Sequence, residues 1–127
     1  MRLVVHIHDT LGSQTSFGHH AILQYTTTPV EPGTRRCARE SLEAQQGQIL
    51  GGTGGEGNGA IELPGSVVSE VPAGSQFIIN HHWINVSDQA TEAQAEMITI
   101  PPDSEEGLVV ARAMVLADVG FAARGCG

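Results

Sequence analysis

The chain has 127 residues and a mass of 13.3 kDa, enough for one hydrophobic core, and it reads as a single domain over residues 1–127. Fourteen acidic against six basic residues give a formal charge of −8, and the six arginines (Arg2, Arg35, Arg36, Arg39, Arg112, Arg124) form no stripe, which argues against a nucleic-acid partner. No run approaches the roughly 20 apolar residues that cross a bilayer, and the first residues lack the apolar core of a signal peptide, so neither a membrane partner nor an export address is expected from composition.

Residues 2–8 alternate, with Leu3, Val5 and Ile7 on one face and Val4, His6 and His8 on the other, the period of a half-buried strand. Residues 9–18 read as a turn or loop. From His19 to Thr28, Ile22, Tyr25 and three threonines predict a second strand, stopped by Pro29 and the Pro32-Gly33 pair. Residues 35–48 hold the best helix formers but few apolar anchors, so they amount to a short surface helix at most. The glycine-rich stretch 51–59 lacks the Lys-Ser/Thr and helix start that a phosphate cradle needs, and it reads as a mobile surface loop.

Further along, residues 67–71 predict a short strand and Pro72-Ala-Gly74 a turn. Residues 76–86 form a long β-rich run with Phe77, Ile79, His81 and Trp83 on one face and Ile78, His82, Ile84 and Val86 on the other. Residues 87–90 connect into a strand over 91–100, ended by Pro101-Pro102, and the apolar run 108–117 supplies the last strand. Many short strands punctuated by Gly and Pro predict an all-β fold, an antiparallel β-sandwich or jelly roll.

The six histidines are clustered as His6-x-His8, His19-His20 and His81-His82. Neutral imidazole is the commonest protein ligand for zinc and copper, and strands that bring three together would make a site. A single strand histidine is more often half-buried and bonded to a carbonyl than a ligand. The 6/8 pair suits a two-ligand clamp and equally a solvent-facing polar row. Adjacent strand residues face opposite ways, so His19 and His20 reach one ion only at a bulge or strand end, and Gly18 before them makes such an irregularity plausible.

The segment 18–25 (Gly-His-His-Ala-Ile-Leu-Gln-Tyr), the stretch Gly33-Thr-Arg-Arg-Cys37, Leu63-Pro64 and the segment 71–88 around Asn-His-His-Trp-Ile-Asn resemble the copper type II, ascorbate-dependent monooxygenases. That family includes the peptidylglycine α-hydroxylating and dopamine β-monooxygenases and bacterial relatives, and the resemblance spans about residues 15 to 100. It implies copper held by His19 and His20, which match the family's His-His pair, and by His82, which stands before an aromatic residue as the third ligand does. It implies the electron-transfer half of the enzyme, an exported protein, and a second copper domain or reductant as partner. A Cys37–Cys126 disulfide would fit an exported protein, although two unrelated thiols fit the sequence as well.

The family's second copper set, two histidines and a methionine, has no match in order: His6 and His8 with Met97 or Met114 precede the His-His pair instead of following it. Two other readings remain open on the same residues. Three histidines with an open position also describe catalytic zinc, with Asp9, Glu56 or Glu70 as the candidate base. A non-enzymatic, secreted binding module is the other.

Overall fold

The computed structural model describes residues 3–36, 47–55 and 57–113. Nine strands run in the order β1 (Val4–Ile7), β2 (Asp9–Gln14), β3 (Gly18–Thr26), β4 (Gln48–Gly54), β5 (Gly57–Glu62), β6 (Val67–Pro72), β7 (Gln76–Trp83), β8 (Ala95–Ile100) and β9 (Val109–Ala111). They form three three-stranded sheets, ordered β1-β6-β9, β5-β2-β8 and β4-β3-β7. Every pairing is antiparallel except β6 with β9. The fold is all-β and sandwich-like, as the many short strands punctuated by Gly and Pro predict.

Three connections pass between the β5-β2-β8 and β4-β3-β7 sheets: β2 to β3, β4 to β5 and β7 to β8. Because β3 is antiparallel to both β4 and β7, the start of β3 and the ends of β4 and β7 lie at the same end of the sheet. All three crossovers therefore gather at one edge of the molecule. The apolar centre is small: Ile7, Leu23, Leu50 and Val71 are buried together, with Tyr25 and Met97 packed against them.

The sheets around β2 and β4 meet through small residues. A Cβ at Gly12 would stand 2.7 Å from the Met97 sulfur and 2.9 Å from Thr53 Cγ2, and one at Gly51 would stand 2.7 Å from Thr10 Cβ. Only hydrogen fits there, so the strands approach closely. Thr10, Gln14 and Thr53 are buried in the same layer.

This packing corrects two sequence expectations. Residues 9–14 form β2 rather than a loop, because its inward positions Thr10, Gly12 and Gln14 are polar or small and show no apolar alternation. The stretch 51–59 is the end of β4 and the start of β5, with a turn at Gly55 and Gly57, both at positive φ, rather than a surface loop. Its glycines serve sheet contact as much as turning.

Boundaries move elsewhere. β7 ends at Trp83, three residues short of the expected strand, because Asn85 turns the chain by accepting the Ser87 N–H on Oδ1 at 2.9 Å. β8 begins at Ala95 rather than at residue 91. The last strand is three residues long and pairs in parallel with β6, which the antiparallel expectation missed. The expected helix falls mostly outside the described residues, as do Cys37, Cys126 and Met114.

Candidate metal centre

His19 and His20 open β3 and His82 lies near the end of β7, at the edge where the crossovers gather. On regular strands His19 and His20 would face opposite ways. The pairing of β3 with β7 instead slips: Gly18 stands opposite Trp83 and His20 opposite His82, which leaves His19 as an extra residue. This is a β-bulge, and it turns both rings to one side of the sheet.

The bulge is held by backbone bonds on both flanks. Ile84 N–H donates to the Phe17 carbonyl at 2.9 Å, and Gly55 N–H donates to the His19 carbonyl at 2.8 Å. Phe17 itself has φ 67°, a left-handed conformation that turns the chain into Gly18. Gly18 is buried against Gln14, where a Cβ would stand 2.7 Å from the Gln14 Cβ. Gln14 Nε2 in turn donates to the Gly55 carbonyl at 2.7 Å, joining the β4–β5 crossover to β2.

The three rings form a near-threefold propeller. Ring centroids are 5.1 Å apart for His19 and His20, 5.0 Å for His19 and His82, and 5.0 Å for His20 and His82. The interplanar angles are 64°, 66° and 65°. One nitrogen from each ring lies within 4.8 Å of the other two, and Nδ1 of His19 is 2.9 Å from Nδ1 of His20. Two neutral imidazole nitrogens at that distance must share one proton or direct both lone pairs at a cation.

Tetrahedral coordination at about 2.0–2.1 Å sets ligand nitrogens about 3.3 Å apart, against 2.9 Å between the His19 and His20 Nδ1 atoms and no more than 4.8 Å across the three rings. His20 has Gly54 on its other flank, with open space where a side chain would stand, so nothing crowds the rings from β4. Among the described residues no carboxylate lies within ion-pair distance of the three rings, so the donor set is imidazole alone. Burial first, and then the neighbouring His82, His19 and His81 rings, hold the His20 pKa below its ordinary 6.5. That keeps its lone pair available near neutral pH.

The other histidines go elsewhere. His6 Nδ1 stands 2.5 Å from Glu105 Oε2, with Glu70 3.9 Å from its Nε2. His8 has Asp9 Oδ1 at 2.6 Å from Nδ1 and the Gly65 carbonyl at 2.9 Å from Nε2. Each ring is engaged separately, which separates the 6/8 pair from any shared ligand role. Met97 points its sulfur over Gly12 in the sheet interior, so it forms no second metal set with them. Of the candidate bases, Asp9 and Glu70 face His8 and His6, and Glu56 lies outside the described residues.

His81 lies on the opposite face of β7, opposite Ala21, with its ring 5.2 Å from that of Trp83. Burial and then His82 lower its pKa from 6.5. Gln14 and the Gly55 N–H are the supporting groups that sequence reading missed. A glutamine just before a turn carries no pattern of its own; its signal is Gly18, which must be small to lie against it. No protein-family model, curated protein or solved structure matches this chain.

Proposed function

We propose that this domain holds one copper ion on His19, His20 and His82 and works as a one-electron relay, as the electron-transfer half of copper type II monooxygenases does. The observation that carries the reading is the bulge at His19, which brings two consecutive histidines and a cross-strand third to one side of the sheet. Copper bound there would supply one-electron redox chemistry, and imidazole nitrogens serve both of its oxidation states. The residues supply the rest: three neutral donors, His20 kept unprotonated by burial and its neighbours, and a cage fixed by backbone bonds to Gly55 and Ile84.

His19 and His82 are exposed, so the ion would lie at the surface, within reach of an external electron donor or a second redox centre. That openness supports a relay working with a partner over a site that carries out the whole reaction within this chain.

The test is metal analysis of protein purified without chelator, followed by Cu(II) titration and electron paramagnetic resonance. One copper per chain with a nitrogen-rich tetragonal spectrum is expected. Stoichiometric zinc that copper does not displace, or no metal bound at all, overturns the reading.

A further inference from the structure

β8 is an edge strand: among the described residues it pairs with β2 alone. The Thr15 N–H donates to the Gln94 carbonyl at 3.1 Å, which continues the register that sets Ser13 opposite Glu96, Leu11 opposite Ile98 and Asp9 opposite Ile100. Bonded and unbonded pairs alternate along an antiparallel ladder, so Glu96, Ile98 and Ile100 turn their backbone groups toward β2. Ala95, Met97 and Thr99 therefore present their N–H and carbonyl groups outward. The edge runs without a proline or a bulge until Pro101, so its backbone is open to a further strand.

Across from this edge, β7 carries an apolar residue that faces inward without being covered. Ile79 pairs with buried Leu23 on β3 and shares its face, yet it is 44% exposed. Ile79 and Ala95 border one cleft of about 590 Å³, which opens beside the outer edge of β8. The outer edge of β7 is the poorer template, because the segment 30–35 faces it across a second cleft. That segment is tied down where the Val30 N–H donates to Gln76 Oε1 at 2.7 Å and Gln76 Nε2 donates to the Val30 carbonyl at 2.9 Å.

A strand added to β8 would lie about 4.8 Å from it, bond to Ala95, Met97 and Thr99, and alternate its side chains between the two faces. Those on the inner face would stand beside Ala95 and Met97 and cover Ile79, which calls for apolar residues. Those on the outer face would stand beside Glu96, Ile98 and Ile100, where Glu96 calls for a basic neighbour. Glu92 before the strand and Asp103 after it are exposed carboxylates as well. Two copies of this chain, each at −8, would repel, whereas a basic segment is attracted. We propose that the β8 edge accepts an extended basic segment of a partner protein, apolar at alternate residues, as an added strand, independently of any metal at His19, His20 and His82.

The test uses the full chain after chelator treatment and the peptide acetyl-Val-Arg-Val-Thr-Val-Arg-amide, read by amide hydrogen exchange. The Ala95, Met97 and Thr99 N–H groups should exchange quickly in the protein alone and at least about tenfold more slowly with saturating peptide, while Glu96, Ile98 and Ile100, already bonded to β2, change less. Glu96→Lys should weaken this peptide about fivefold, by replacing attraction with repulsion across the pair, and strengthen acetyl-Val-Glu-Val-Thr-Val-Glu-amide by a similar factor. Thr99→Pro removes an outward donor without touching a bond to β2 and should weaken both peptides. No protection on adding peptide, or equal affinity for the two peptides, overturns the proposal. So does protection of Ala95, Met97 and Thr99 before any peptide is added, which would place another segment of this chain, or a second copy, on the edge.

Discussion

His20 and His82 stand directly opposite each other across β3 and β7, their ring centroids 5.0 Å apart, while Gly54 occupies the matching position on the other side of His20. A cross-strand pair on one face is the closest approach two strand residues make, so this pair needs no rearrangement to act together. His19 joins it only through the bulge.

Replacing either member of the pair should therefore abolish tight metal binding. His82→Ala or His20→Ala is expected to weaken copper affinity by more than about a hundredfold, beyond what loss of a supporting residue does. His6→Ala should leave affinity within about threefold, because that ring is engaged by Glu105 and Glu70. Isothermal titration against a competing chelator measures both, and equal losses would remove the ligand assignment.

The contact between Gly51 and Thr10 predicts an overpacking penalty. Gly51→Ala places a methyl 2.7 Å from the Thr10 Cβ and should destabilise the fold by about 1–3 kcal/mol. Gly54→Ala, with open space around it, should lose far less. Urea unfolding of the two variants checks the difference, and equal midpoints would show that the sheets do not meet at Gly51.

Gln14 predicts a coupled loss. Gln14→Leu removes the donor to the Gly55 carbonyl and should cost about 1–3 kcal/mol in stability. Since the Gly55 N–H holds the His19 carbonyl, copper affinity should fall as well, by less than in the ligand variants. Stability lost with affinity untouched would show that the crossover does not brace the bulge.

The lowered pKa values of His20 and His81 give a pH dependence of known sign. The unfolded chain takes up protons at these residues as pH falls through 6.5, whereas the folded chain does so only at lower pH. Between those limits the unfolded state binds more protons, so metal-free protein should hold its full stability above 6.5 and lose it progressively as the pH falls below that value. Urea midpoints followed across this range should drop on the acid side, and His20→Gln should shallow the drop. A midpoint that rises on acidification would reverse the assignment.

Much of the fold was legible because β3, β6 and β7 are rich in β-branched and aromatic residues and are bounded by Gly and Pro turns. β2 and β5 were hidden because their contribution to the sheet contact comes from Gly12, Gly59 and Thr10, residues that carry no hydrophobic period. The three proposed ligands could be named from histidine clustering and a family resemblance, and the irregularity that unites His19 with His20 followed from Gly18. In sequence His6 and His8 fit a two-ligand clamp and a solvent-facing polar row alike. Only distant partners, Glu105 and Gly65, distinguish them, and a linear pattern does not reveal contacts of that span.

The doublet His81-His82 gives β7 an imidazole on each of its faces. Were β7 to slip by one residue along β3 in the direction that brings His81 opposite His20, every side chain would exchange faces, yet a histidine would still meet His20. Metal coordination is therefore a poor proofreader of this pairing: an ion would reward the wrong alignment nearly as well as the right one. Discrimination falls to Ile79 beside buried Leu23 and to the Ile84–Phe17 backbone bond, so errors in strand alignment should be sought in variants of those residues rather than of the histidines.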